Sequence, residues 1–127
     1  MRRALLAVMT ASLLFSSVSA MASLEDDMDT LNAGLHTVSK TDDVGEFKKA
    51  LTSMRGAAED AKTQTPDKLK GKPADSAEIK DYHAGLDTLI GQIDSSMKLA
   101  DAGDLAGAKA EAKKFTATRN ENHKKFR

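Results

Sequence analysis

The sequence predicts an all-α protein, an antiparallel up-down-up-down four-helix bundle over residues 23–127. Three observations predict it. Apolar residues recur at steps of three and four in four separate stretches, and nowhere do they alternate with polar ones as in a half-buried strand. Two of the connections are short, at Thr41-Asp42 and at Gly103, which makes the helices they join antiparallel neighbours. There are no cysteines, so no disulfide framework replaces a packed core.

The chain opens on a segment of another kind. Met1, Arg2 and Arg3 form a short basic region, Ala4 to Val18 is mostly apolar, and Ser19 to Ala22 are small or apolar residues. That is the layout of a secretory signal peptide over residues 1–22, with cleavage expected after Ala20 or Ala22, and it is too short for a stable transmembrane span. A buried N-terminal helix or an uncleaved anchor is the competing reading. Cleavage would remove two arginines and no acid, taking the balanced 19 basic and 19 acidic residues to a net −2. Such a balance excludes nucleic-acid binding by bulk electrostatics.

The first helix is expected from Leu24 through Met28, Leu31, Leu35 and Val38, with Ser23 as N-cap and Glu25, Asp26 and Asp27 where the helix dipole favours acids. The second carries Val44, Phe47, Leu51, Met54, Ala58 and Ala61, with Asp43 and Glu46 placed to cap its start reciprocally. Residues 64–76, with Pro66, Gly71 and Pro73, read as the one long loop. The third helix runs from Ile79 to Ala100 through Leu86, Leu89, Ile90, Ile93 and Met97, and Gly103 ends it in a left-handed conformation. The fourth opens at Asp104 and carries Leu105, Ala108, Ala112 and Phe115. Its stripe then changes character to Arg119, Asn122, His123 and Phe126.

Up-down topology brings the start of the first helix, the end of the fourth and the long loop to one end of the bundle. Met28 and His123 then lie at the same level. A thioether and an imidazole from two helices can ligate haem iron from both sides, a pair that raises the reduction potential relative to two histidines. Leu31, Leu35, Met54, Pro66, Tyr82 and Leu86 can supply the apolar slot that a porphyrin needs. Arg119, one turn before His123, sits where it could meet a propionate or simply face solvent. Spacing alone leaves the bland alternatives open: a Met at such a position is often core, and a terminal His is often solvated.

The stretch from Leu24 to Asn32, LEDDMDTLN, resembles the start of the mature cytochrome b562 family. Further matches follow in order: ALTSMR at residues 50–55, the Thr65-Pro66 turn, GQID at 91–94, TRN at 118–120, and His123. The resemblance covers the mature chain without an obvious gap and fills both axial positions, with Met28 and His123. It implies an up-down-up-down bundle holding one non-covalent b-type haem. It also implies a periplasmic monomer that passes single electrons to an unidentified redox partner, with no membrane attachment in the mature form. The family pattern has phenylalanines where Tyr82 and Leu86 stand and a second proline in place of Asp67, so the slot is expected to be less aromatic and wetter here.

The remaining residues sort by chemistry. His36 lies about 12 Å along the helix from Met28 at 1.5 Å per residue, and is expected to be solvated. His83 fits the inward series Ile79, Leu86, Ile90 and so competes as a ligand. Covalent haem attachment would need cysteines at positions 119 and 122, where Arg119 and Asn122 stand. The cations Lys113, Lys114, Lys124, Lys125 and Arg127 satisfy a helix C-terminus and also suit an acidic redox partner. Asp27-x-Asp29 is not a calcium loop, because Leu31 occupies the fifth position and no glutamate the twelfth. No nucleophile–base grouping is visible, so an electron carrier is expected rather than an enzyme. The competing function is a haem-free helical periplasmic binding or stress-response module.

Overall fold

A computed structural model describes residues 23–126. The expected leader over 1–22 and the cation Arg127 lie outside the described residues. Four helices and no strand are found among those described: α1 (Leu24–Lys40), α2 (Val44–Ala61), α3 (Ala77–Asp101) and α4 (Leu105–Phe126). α1 packs on α2, α2 on α3 and α3 on α4, while α4 closes back on α1 along the slightest of the four seams. This is the expected four-helix bundle.

Local chemistry sets each boundary. Ser23 and Asp26 form a capping box at α1, the Asp26 N–H donating to Ser23 Oγ at 3.1 Å and the Ser23 N–H to Asp26 Oδ2 at 3.4 Å. The α1–α2 link is pinned by Thr41, whose N–H donates to the Thr37 carbonyl and whose Oγ1 accepts from the Asp43 N–H at 3.1 Å. Asp43 caps α2 through the Gly45 N–H at 3.1 Å, not through the reciprocal pair expected with Glu46. α3 starts at Ala77, earlier than expected, because the Ser76 hydroxyl accepts from the Ile79 N–H at 3.3 Å. At its far end Gly103 has φ +84°, the Gly103 N–H donates to Ala100 O and the Asp104 N–H to Leu99 O. That pair of bonds is a Schellman turn. Asp104 then caps α4 through the Gly107 N–H at 2.8 Å. The expected loop over 64–76 contains a single 3-10 turn, Asp67–Leu69, anchored by the buried Pro66 and Leu69.

Phe47, Leu51, Met54, Ile93 and Phe115 fill the core almost without solvent contact. Ser96 is buried among them, and its hydroxyl donates to the Ala108 carbonyl at 2.8 Å, tying α3 to α4. Gly34 makes room on α1: a Cβ there would fall on the Met54 side chain as it now packs. The buried face of α1 is Asp27, Leu31, Gly34 and Val38, not the stripe through Met28 and Leu35. Met28 and Leu35 are left half-buried on its flank.

Candidate functional site

The buried face of α1 matters most at the end where α1 starts and α4 finishes. A cavity of about 640 Å³ opens there, within the roughly 300–1,000 Å³ usual for cofactor pockets. α1 contributes Leu24, Met28 and Leu31; the α2–α3 connection contributes Pro66; α3 contributes Tyr82, Leu86 and Leu89; α4 contributes Arg119, Asn122, His123 and Phe126. Of the residues expected in the slot, Leu31, Pro66, Tyr82, Leu86 and Arg119 line it together with Met28 and His123.

Two do not. Met54 is 1% exposed and sits against Gly34 in the core, because the close α1–α2 contact uses its side chain as filler. Leu35 lines a second cavity of about 490 Å³ further along the α1–α4 seam, with Asn32, His36, Ala112, Lys113 and Arg119 among its walls. Asp67, the polar residue expected beside the slot, borders the main cavity together with Lys68. His83 is half-buried and is absent from the cavity wall; its ring lies tilted against Tyr82 at 5.7 Å between centroids. His36 is exposed. Phe126 meets Tyr82 edge-on at 5.5 Å, placing an aromatic corner beside the cavity.

Arg119 is half-buried and spends its guanidinium on side-chain amides. Its Nη1 donates to Asn32 Oδ1 on α1 at 2.8 Å, while Nε and Nη2 both donate to Asn120 Oδ1, at 3.2 and 2.9 Å. On the α3–α4 seam the Thr118 hydroxyl donates to Gln92 Oε1 at 2.9 Å, and on the α2–α3 seam Arg55 pairs with Asp94 at 2.8 Å. The short sequence pieces that carry the family resemblance thus meet one another across helices. Asn122 packs where a Cβ on Gly85 would collide with it, so Gly85 allows α3 to approach α4 beside His123.

Behind the cavity lies a polar cluster that the apolar periodicity missed. Asp27, 4% exposed, accepts from Gln64 Nε2 at 2.9 Å, and the same amide donates to Asp60 Oδ2 at 3.0 Å. Burial pushes the Asp27 carboxyl up to about 7; its hydrogen bond with Asp60 and the charges of Asp60 and Asp26 add to the rise. The Tyr82 hydroxyl donates to the Ala61 carbonyl at 2.7 Å. Its pKa is pushed up to about 12, first by burial and then by the nearby Asp27 charge. The signal for Asp27 was available, since it steps 4-3-4 with Leu31, Gly34 and Val38.

An all-α bundle whose first and last helices bring Met28 and His123 to the wall of one cavity defines a class: four-helix bundles with a pocket open at one end. The comparisons narrow it. The cytochrome b562 family profile matches residues 23–127, and this chain belongs to that family. It is 46% identical over 128 residues to a protein of Yersinia pestis named probable soluble cytochrome b562 2, with 100% of both chains covered. A second protein of that organism, named probable soluble cytochrome b562 1, is 42% identical over 116 residues, with 91% of each covered. An uncharacterized protein of Pasteurella multocida is 29% identical over 125 residues, covering 97% of this chain and 98% of its own.

Proposed function

We propose that this protein is an exported electron carrier that holds one b-type haem non-covalently in the main cavity, with Met28 and His123 as axial ligands. The observation that carries the reading is the meeting of Met28 and His123, from antiparallel α1 and α4, on the wall of one cavity. The donor set fits the group. A soft thioether and an imidazole suit iron, and Leu31, Pro66 and Leu86 offer apolar contact for a macrocycle. Among the described residues no three His, Cys, Asp or Glu side chains gather as a bare-ion site. The absence of cysteine from the sequence leaves no thiol for covalent attachment.

Haem, when bound, supplies a one-electron couple. His123 serves both oxidation states and Met28 favours the reduced one. With both axial positions filled by side chains, no site is left for a substrate, which favours electron transfer over an enzymatic role. Tyr82 and Phe126 close one corner of the cavity to water. Export to the periplasm is supported by the layout of residues 1–22 and by a family match that begins at residue 23. No described helix is long and apolar enough to cross a membrane. The protein acts as a monomer toward a redox partner of unidentified nature.

The test is the oxidised and reduced absorption spectrum of the purified protein. A Soret band with sharp reduced-state bands is expected. Met28→Ala should keep haem but turn the ferric form high-spin and lower the potential, whereas His123→Ala should lower haem occupancy. A colourless protein that takes up no added haemin would sink the reading and leave a haem-free helical module.

A further inference from the structure

The α1–α4 seam is the weakest in the bundle, and it is the seam that must hold the two proposed ligands at a fixed separation. Cavities open along it on both sides of Arg119, which lines each of them. Among the described residues, Arg119 Nη1 to Asn32 Oδ1, at 2.8 Å, is the one side-chain hydrogen bond that runs directly from α4 to α1. Its position is specific. Asn32 lies four residues after Met28 and Arg119 four before His123, and the helices are antiparallel. The bond is therefore a second rung, about 6 Å along the axis from the ligand pair at 1.5 Å per residue.

We propose that the Arg119–Asn32 bond is a spacer that fixes α1 against α4 at the ligand level, making both of them positioning residues that keep Met28 on the iron. The inference rests on the axial reading above. The chemistry suits a spacer. Asn120 accepts from Nε and Nη2 of Arg119, so the planar guanidinium is braced on its own helix before it reaches across. Among the described residues Arg119 has no carboxylate partner, so no competing ion pair draws it away from Asn32. Losing the acceptor leaves apolar contacts alone to set the gap, and the half-buried Met28 gains room to swing off.

The experiment is carbon monoxide binding to the reduced holoprotein, which requires the Met28 position to be vacated. Met28→Ala defines the rate with that position open. Asn32→Leu and Arg119→Leu should each speed binding roughly ten-fold, the scale of one hydrogen bond to a charged group. The double variant should be no faster than either single one, because both remove the same bond. Arg119→Lys should recover part of the loss, and Asn32→Asp, which puts a carboxylate opposite the guanidinium, should bind carbon monoxide more slowly than the parent. Ser96→Ala, at the far end of the bundle, controls for general loosening and should leave the rate unchanged. A fast Met28→Ala with an unchanged Asn32→Leu would overturn the spacer and leave the ligation standing. Equal acceleration by Ser96→Ala would reduce the bond to ordinary stability, and overturn the proposal too. If Met28→Ala itself were no faster than the parent, the ligand assignment would be the part that failed. Asn32→Leu carries the test alone should Arg119→Leu not fold.

Discussion

The two ends of the bundle are built on different rules. In the half of the bundle nearer Gly103 and Thr41, connections are short, caps are complete, and Phe47, Phe115 and Ile93 are sealed from water. A buried hydroxyl there, Ser96, has its acceptor on the neighbouring helix. At the other end a cavity is left unfilled, a carboxylate is buried at Asp27, and His123 stands exposed at its rim. One end obeys packing; the other gives up packing so that a guest can supply it. The difference teaches that stability and binding are spatially separated here, and substitutions should divide the same way.

The largest effect is expected at the sealed end. Phe115→Ala should cost about 3–5 kcal/mol in urea denaturation, since a fully buried ring leaves a cavity that neighbours cannot refill. Apoprotein and holoprotein should both register it. His123→Ala should do the reverse, leaving the apoprotein midpoint unmoved. It should remove the haem-linked gain, which is about 2.7 kcal/mol for a ligand at one hundred times its dissociation constant. If His123→Ala destabilised the apoprotein as much as Phe115→Ala, the division between the ends would be false.

Asp27 sharpens the comparison through pH. Its carboxyl titrates at about 7 in the folded chain against 3.8 as the ordinary value. The folded state therefore binds more protons than the unfolded state between those limits, and this group's contribution to stability declines as pH rises through that window. Asp27→Asn should remove the decline, so the apoprotein variant should exceed the parent by about 1–3 kcal/mol at pH 8 and match it near pH 4. The difference between the two proteins is the quantity to plot, because Asp42, Asp67 and Glu78 are held below their ordinary values and slope the other way. A pH-independent difference would mean that the carboxyl is not desolvated. The smallest effect belongs to Ser96→Ala, about 1 kcal/mol for one hydrogen bond, and it should appear without any change in haem retention.

The helices, their caps at Ser23 and Asp104 and the left-handed Gly103 were legible in the sequence because each rests on residues within one or two turns. Met28 and His123 were placed on one cavity because topology alone sets their level. What stayed hidden depended on contacts between helices. The stripe through Met28 and Leu35 looked like the core face of α1, whereas the buried face runs through Asp27 and Gly34, where Gly34 makes room for Met54. The same contact removed Met54 from the slot. Asp27 resembled an ordinary first-turn acid beside Glu25 and Asp26, which remain exposed, and only its 4-3-4 step with Leu31, Gly34 and Val38 set it apart. Arg119 was placed near the site, yet its partner Asn32, 87 residues away, was beyond any local rule.

The Schellman turn at Gly103 has a consequence for the order of assembly. It joins α3 to α4 within a few residues, so that hairpin can form from contacts near in sequence, with little loop-closure entropy to overcome. The α1–α4 seam is the opposite case: Met28 and His123 stand 95 residues apart, and their meeting needs the longest closure in the bundle. The hairpin can be in place early in folding, while the binding site exists only after the first helix has docked against the last. A haem that captures both side chains would then act as a clasp on the seam with the longest closure, the slightest of the four.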